Sequence, residues 1–125
     1  MSFKFLIAAN LVLAALFCAR IQPAFAHAYP IIVSPADGAA LKESPREIRM
    51  QFTEGVELAF SRITVKGAKG EVVSQGKLRQ LADDTIAIDL KPLTAGNYTV
   101  EWQVLSVDTH ITEGTLHFTF SPGAK

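Results

Sequence analysis

Apolar and polar residues alternate along most of the chain after Ala26. In each run the apolar residues lie two positions apart, which places them on one face of an extended strand and the polar residues on the other. The apolar members are Ile48, Met50 and Phe52; Ile63 and Val65; Ile86, Ile88 and Leu90; Tyr98, Val100, Trp102 and Val104; and Leu116, Phe118 and Phe120. Each run predicts a half-buried β-strand.

Turn-forming sequences separate these runs. They are Pro35-Ala36-Asp37-Gly38, Glu54-Gly55, Lys66-Gly67-Ala68-Lys69-Gly70, Ala82-Asp83-Asp84 and Thr94-Ala95-Gly96-Asn97. About seven short strands with frequent turns, and no segment with a helical stripe, predict an all-β fold, an immunoglobulin-like antiparallel β-sandwich or Greek-key barrel. The segment Leu93–Tyr98 resembles the tyrosine corner of such sandwiches, so we expect the Tyr98 hydroxyl to bond back to nearby backbone.

The first 26 residues have a different organisation. A positive residue near the start, Lys4, is followed by a nearly unbroken apolar run from Phe5 to Ala19 and by the small-x-small tripeptide Ala24-Phe25-Ala26. This order is typical of a secretory signal peptide, residues 1–26, that is cleaved after Ala26. The alternative is an uncleaved membrane anchor.

Charge and cysteine content narrow the classes of function. The chain has 12 Lys and Arg against 12 Asp and Glu, which excludes a basic nucleic-acid footprint. Cleavage would remove Lys4, Cys18 and Arg20, so the predicted mature domain, residues 27–125, is slightly acidic and has no cysteine. It therefore cannot use thiolate chemistry or a zinc-finger site. We expect a soluble monomer that is stabilised by its core.

Two of the three histidines are candidate metal ligands. Cleavage after Ala26 would make His27 the first residue, whose α-amine and imidazole Nδ1 can chelate one ion near neutral pH. Asp108 and His110 are two positions apart, so an extended backbone would present a carboxylate and an imidazole on one face. Such a sulfur-free set favours Cu(II) over Cu(I), with Ni(II) and Zn(II) as competitors. The alternative is three unrelated surface residues.

Two other residues with metal-binding side chains are assigned different roles. His117 lies between Leu116 and Phe118, so we expect it to point outward, away from the core. Met50 falls on the apolar alternation and is interpreted as core packing.

Short motifs are spread over the whole predicted mature chain. They are His27-Ala28, Ser34-Pro35-Ala36-Asp37-Gly38, Met50-Gln51-Phe52-Thr53-Glu54, Leu93-Thr94-Ala95-Gly96-Asn97-Tyr98, Glu101-Trp102, Ser106-Val107-Asp108-Thr109-His110, and Gly114 before the last strand. In this order and spacing they resemble the periplasmic copper-resistance proteins of the CopC type. The resemblance implies an immunoglobulin-like fold that binds one Cu(II) through an N-terminal His, an Asp and a second His.

Carried over to this sequence, the implied ligands are His27, Asp108 and His110. The resemblance also places Glu54 near the copper ion, either as an axial ligand or as an acceptor for the N–H of a metal-bound imidazole. The alternative for Glu54 is a turn carboxylate, and Glu113 is a weaker candidate for the same role.

The resemblance implies an exported, non-enzymatic protein that, as a carrier or buffer, holds one Cu(II) for copper resistance or hands it to a membrane transporter of the CopD type. Some members have a methionine-rich loop with a His that forms a separate Cu(I) site. Here the corresponding stretch, residues 66–77, has no Met, His or Cys, so we expect no Cu(I) site. Two alternatives stay open: a histidine-brace copper monooxygenase that oxidises polysaccharides, and a metal-free immunoglobulin-like interaction module.

Overall fold

A computed structural model describes residues 27–123. The predicted signal peptide, residues 1–26, lies outside the described residues. In the described part, none of the helical segments combines the length and the apolar character that crossing a membrane requires.

Residues 27–123 form eight strands and a short 3₁₀ helix. In chain order they are β1 Pro30–Ser34, β2 Ala39–Leu41, β3 Glu47–Phe52, the 3₁₀ helix Leu58–Phe60, β4 Arg62–Gly67, β5 Ser74–Ala82, β6 Thr85–Leu90, β7 Gly96–Leu105 and β8 Ile111–Phe120. Two four-stranded sheets result, with strand orders β1-β3-β6-β5 and β2-β8-β7-β4. The predicted all-β sandwich is confirmed, although the short β2 runs parallel to β8 rather than antiparallel.

The core lies between the sheets and is built from the faces that the alternation predicted. Ile48, Met50 and Phe52 of β3 are fully buried, which agrees with the assignment of Met50 to core packing. The predicted inward residues of β4, β6 and β7 are buried as well. Burial of this apolar layer supplies the stability that a domain without disulfides needs.

Tyr98 forms the predicted tyrosine corner at the start of β7. Its ring is buried and stacks on Phe118, with ring centroids 5.2 Å apart. Its hydroxyl donates a hydrogen bond to the carbonyl of Thr94. This bond satisfies a phenol that would be costly to bury unpaired.

Gly114 makes room for the only tryptophan. It lies opposite Trp102 on the β7–β8 ladder, and a methyl group at this position would come within 2.7 Å of the indole. The indole also packs edge-on against Phe52, at a centroid separation of 5.6 Å. A side chain at position 114 must therefore displace a ring that the core holds in place.

We expect Gly114→Ala to lower the free energy of unfolding by about 1–3 kcal/mol, because overpacking forces neighbouring side chains off their rotamers. Urea unfolding followed by tryptophan fluorescence measures the loss. Gly123→Ala is a matched control, since a methyl group there would meet only the Lys42 side chain, at 3.8 Å. Equal stability of Gly114→Ala and the unmodified protein would contradict the packing argument.

The candidate ligands lie at one end of the sandwich. His27 precedes β1, Glu54 follows β3, and the segment Ser106–His110 connects β7 to β8. Because antiparallel pairing places the start of one strand beside the end of its neighbour, these segments meet at the same end of the sandwich.

Candidate metal centre

The segment that begins at His27 is held to the first sheet by Thr53, directly after β3. The Thr53 hydroxyl donates to the carbonyl of His27 and accepts a hydrogen bond from the backbone N–H of Tyr29, each at 3.0 Å. The backbone N–H of Thr53 also donates to the carbonyl of Tyr29, at 2.8 Å. One threonine therefore fixes the backbone on both sides of Ala28.

The second sheet holds the same segment through Thr112 of β8. Its hydroxyl donates to the carbonyl of Ala28 at 2.7 Å, and the Ala28 side chain is fully buried in the core. His27 is therefore placed at the boundary between the two sheets.

The segment Ser106–His110 is a tight turn organised by the buried hydroxyl of Ser106. This hydroxyl donates to Oδ1 of Asp108 and lies 3.1 Å from the carbonyl oxygen of His110. The backbone N–H of Ser106 donates to the same carbonyl at 2.9 Å, and Thr109 has a positive φ of 72°. The expectation that an extended backbone aligns Asp108 with His110 is wrong, because a turn does so.

Asp108 and His110 are in direct contact. Oδ1 of Asp108 lies 3.2 Å from Nδ1 of His110 and accepts the backbone N–H of the same residue at 3.3 Å. The hydrogen bond from Ser106 holds the pKa of Asp108 below its ordinary value, against the opposing effect of burial, and His110 lowers it further. Asp108 is therefore ionised at neutral pH and places a negative charge beside the His110 ring.

His27 and His110 come together from distant parts of the sequence. Their ring centroids are 4.6 Å apart and the rings are nearly perpendicular, at 89°. His110 therefore contacts both His27 and Asp108 and lies between them. Within residues 27–123, no three His, Cys, Asp or Glu side chains converge as a ready-made metal-binding group.

Glu54 lies between the two segments that carry the histidines. It follows Thr53, which holds His27, and it precedes Gly55, whose carbonyl accepts the N–H of Val107 at 3.0 Å. Oε1 of Glu54 is buried and has no hydrogen-bond partner among the described residues. A buried carboxylate oxygen without a donor is costly, so this atom suits a cation or an imidazole N–H.

His117 and Glu113 lie apart from this arrangement. His117 is exposed, as predicted, and its Nδ1 is 3.3 Å from the hydroxyl of Thr99. It follows Thr112 by five residues, which is about 17 Å along a strand. Glu113 is exposed on β8 beside Thr112, and its alternation places it on the opposite face of the strand.

Comparison with known proteins identifies the family. Residues 32–121 match the model of the CopC domain. The chain belongs to the CopC domain family. Protein YobA from Escherichia coli strain K12 is 38% identical over 103 residues, which cover 78% of this chain and 79% of YobA.

Solved CopC-family structures have the same fold. CopC from Methylosinus trichosporium OB3b superposes with a TM-score of 0.73 at 31% identity, covering 79% of this chain and 98% of that protein. PcoC, a methionine-rich copper resistance protein from Escherichia coli, gives a TM-score of 0.67 at 28% identity, covering 77% and 100%. The predicted resemblance to CopC proteins is confirmed.

The family match covers some of the candidate ligands, and the methionine content differs from that of a methionine-rich relative. Asp108 and His110 lie within the matched region, residues 32–121, whereas His27 precedes it. In contrast to a methionine-rich relative, the chain has only two methionines, and Met50, the one within residues 27–123, is buried in the core.

Three hydroxyl residues of the candidate site had no role predicted from the sequence. Thr53 and Ser106 lie inside the motifs that resemble CopC proteins, and each is within two positions of a candidate ligand, which was a usable signal. Thr112 occupies an inward position of the alternation that continues through Gly114 and Leu116. A polar residue on an apolar face is informative, because such residues are rarely buried unpaired.

Ser106→Ala is expected to raise the pKa of Asp108 toward its ordinary value, because the largest cause of the lowered pKa is removed. The lost buried hydrogen bonds should lower the free energy of unfolding by about 1–3 kcal/mol. The part of the loss that comes from the lowered pKa of Asp108 is present at pH values above the ordinary carboxyl pKa and disappears as pH falls through the lowered value, so the difference between the two proteins should narrow in acid.

A carboxyl-carbon NMR titration of the metal-free protein measures the Asp108 pKa, and urea unfolding at several pH values measures the stability. Ser121→Ala, an exposed position, is the control. An Asp108 titration that is the same in Ser106→Ala would contradict the role given to this hydroxyl.

Proposed function

We propose that this CopC-family protein is exported, is cleaved after Ala26 and binds one Cu(II) ion, which it carries or buffers in the periplasm in copper resistance. The observation that carries the proposal is the contact between the rings of His27 and His110, 4.6 Å apart at the end of the sandwich where Asp108 also lies. Two imidazoles and an ionised carboxylate supply the nitrogen and oxygen ligands that a divalent transition-metal ion binds.

We assign the ligands to the α-amine and imidazole of His27, Nδ1 of His110, which faces Asp108, and a carboxylate oxygen of Asp108. The hydrogen bonds described for Asp108 go to Oδ1, so Oδ2 is the oxygen we assign to the metal. Nitrogen-rich sets with one oxygen and no sulfur suit tetragonal Cu(II). The lowered pKa of Asp108 supports this assignment, because a metal ligand must be deprotonated.

Glu54 is assigned to the same centre as an axial ligand or as the acceptor for an imidazole N–H. Its Oε1 is buried and accepts no hydrogen bond from the described residues, which supports either role. Both roles use a charge that would otherwise be costly at a half-buried position.

Copper is cargo in this proposal, and we assign no turnover to the protein. A membrane copper transporter of the CopD type is the proposed recipient, by analogy with the family. We propose no Cu(I) site, since residues 66–77 contain no soft ligand.

Calorimetric titration of Cu(II) into protein that begins at His27 tests the proposal. Binding should saturate at one ion per chain, and the affinity should fall between about pH 7.5 and about pH 5.5, because protons compete for the imidazole nitrogens. Absence of binding, or the same affinity at both pH values, would contradict the proposal.

A further inference from the structure

We propose that Thr53 and Thr112 are positioning residues of the metal centre, whose hydroxyls clamp the segment His27–Tyr29 and hold the His27 ring against His110. The inference deepens the proposed function and rests on it where copper is concerned. The part that describes how the two hydroxyls hold the segment concerns the metal-free protein, so it can be tested without copper.

The clamp acts on the backbone from both sheets at once. Thr53, after β3, holds the carbonyl of His27 and the N–H of Tyr29. Thr112, on β8, holds the carbonyl of Ala28, which lies between them. Three consecutive residues are therefore fixed by two side chains that approach from different sheets.

Clamping matters because a chain terminus is otherwise mobile. Fixing the backbone of a residue costs about 1–2 kcal/mol of conformational entropy, and a terminal histidine without clamps would lose that entropy when it binds the metal. A segment that is already held in position loses little more, so the affinity for the ion is higher.

The clamp also determines which nitrogens the ion can use. Cu(II) bound to a flexible N-terminal peptide can displace the protons of the following backbone amides and use those nitrogens as ligands. Here the N–H of Tyr29 donates a hydrogen bond to the hydroxyl of Thr53, and Ala28 is buried. The clamped backbone therefore favours ligation by the His27 amine and imidazole together with His110.

Valine variants test the clamp, because valine keeps the shape of threonine and removes its hydroxyl. Thr53→Val and Thr112→Val should each weaken Cu(II) binding by about 10-fold or more, and Thr53→Ser and Thr112→Ser should restore it. Thr119→Val, at an exposed position of the same β8 strand, is the matched control and should bind as the unmodified protein does.

Two spectroscopic readouts separate positioning from a general loss of structure. In metal-free protein that begins at His27, the nuclear Overhauser effect between the His27 and His110 rings should be present and should vanish in each valine variant. The copper-loaded variants should show an absorption band displaced to shorter wavelength, as backbone amides replace His110. A thermal melt of each variant reports whether the fold is intact.

The outcomes are distinct. A ring contact that persists in folded valine variants, or copper affinity equal to that of the unmodified protein, overturns the clamp. A contact that is lost in the variants of a protein that binds no copper supports the clamp and overturns only the proposed function.

A measurement on the unmodified protein covers the case in which the valine variants do not fold. An aminopeptidase should remove His27 from the metal-free protein much more slowly than from a free peptide of residues 27–33, because the clamp withholds the terminus. Equal rates of removal would overturn the proposal.

Discussion

His110→Ala is expected to weaken Cu(II) binding by at least about 100-fold, more than the loss of a supporting residue around a metal site. His110 contacts both His27 and Asp108, so its removal takes away one nitrogen ligand and the side chain that connects these two residues. Competition with a chromophoric chelator measures the affinity.

His117→Ala is the matched control, because it removes an exposed imidazole from the far part of β8. It should leave the copper affinity unchanged. The His110 side chain is 52% exposed, so His110→Ala should alter the free energy of unfolding of the metal-free protein by only about 0.5 kcal/mol. Copper affinity that survives His110→Ala, or falls equally in both variants, would contradict the assigned ligands.

Blocking the α-amine of His27 by acetylation is expected to have an effect of similar size, about 100-fold or more in affinity. Acetylation converts the amine into an amide with no free amine before it to anchor the ion, so this nitrogen keeps its proton at neutral pH and cannot complete the chelate with the imidazole. The same titration measures the change. Protein that begins at His27 with a free amine is the control, and unchanged affinity in the acetylated protein would exclude the amine as a ligand.

The sequence predicted the strands that form the core because each has one buried face. In β3 and β7 the buried residues recur at every second position, which is the pattern that alternation detects. The strand β5, Ser74–Ala82, was missed. It is an edge strand in which only Ser74 and Leu78 are partly buried, and its register with β6 is irregular, so no periodic signal is present.

The residues of the candidate site could be predicted from the sequence, whereas their arrangement in space could not. The turn at Asp108 depends on a positive φ at Thr109, a conformation that β-branched residues rarely adopt. The approach of His27 to His110 depends on hydrogen bonds to Thr53 and Thr112, which are distant in sequence. Local patterns carry no information on such long-range contacts.

The electron paramagnetic resonance spectrum of the Cu(II)-loaded protein that begins at His27 tests the central claim most directly. The account predicts one tetragonal Cu(II) signal with nitrogen splitting, which changes to a signal with fewer nitrogens in His110→Ala and in the protein acetylated at the His27 amine. An identical spectrum in the unmodified protein and both altered proteins would contradict it.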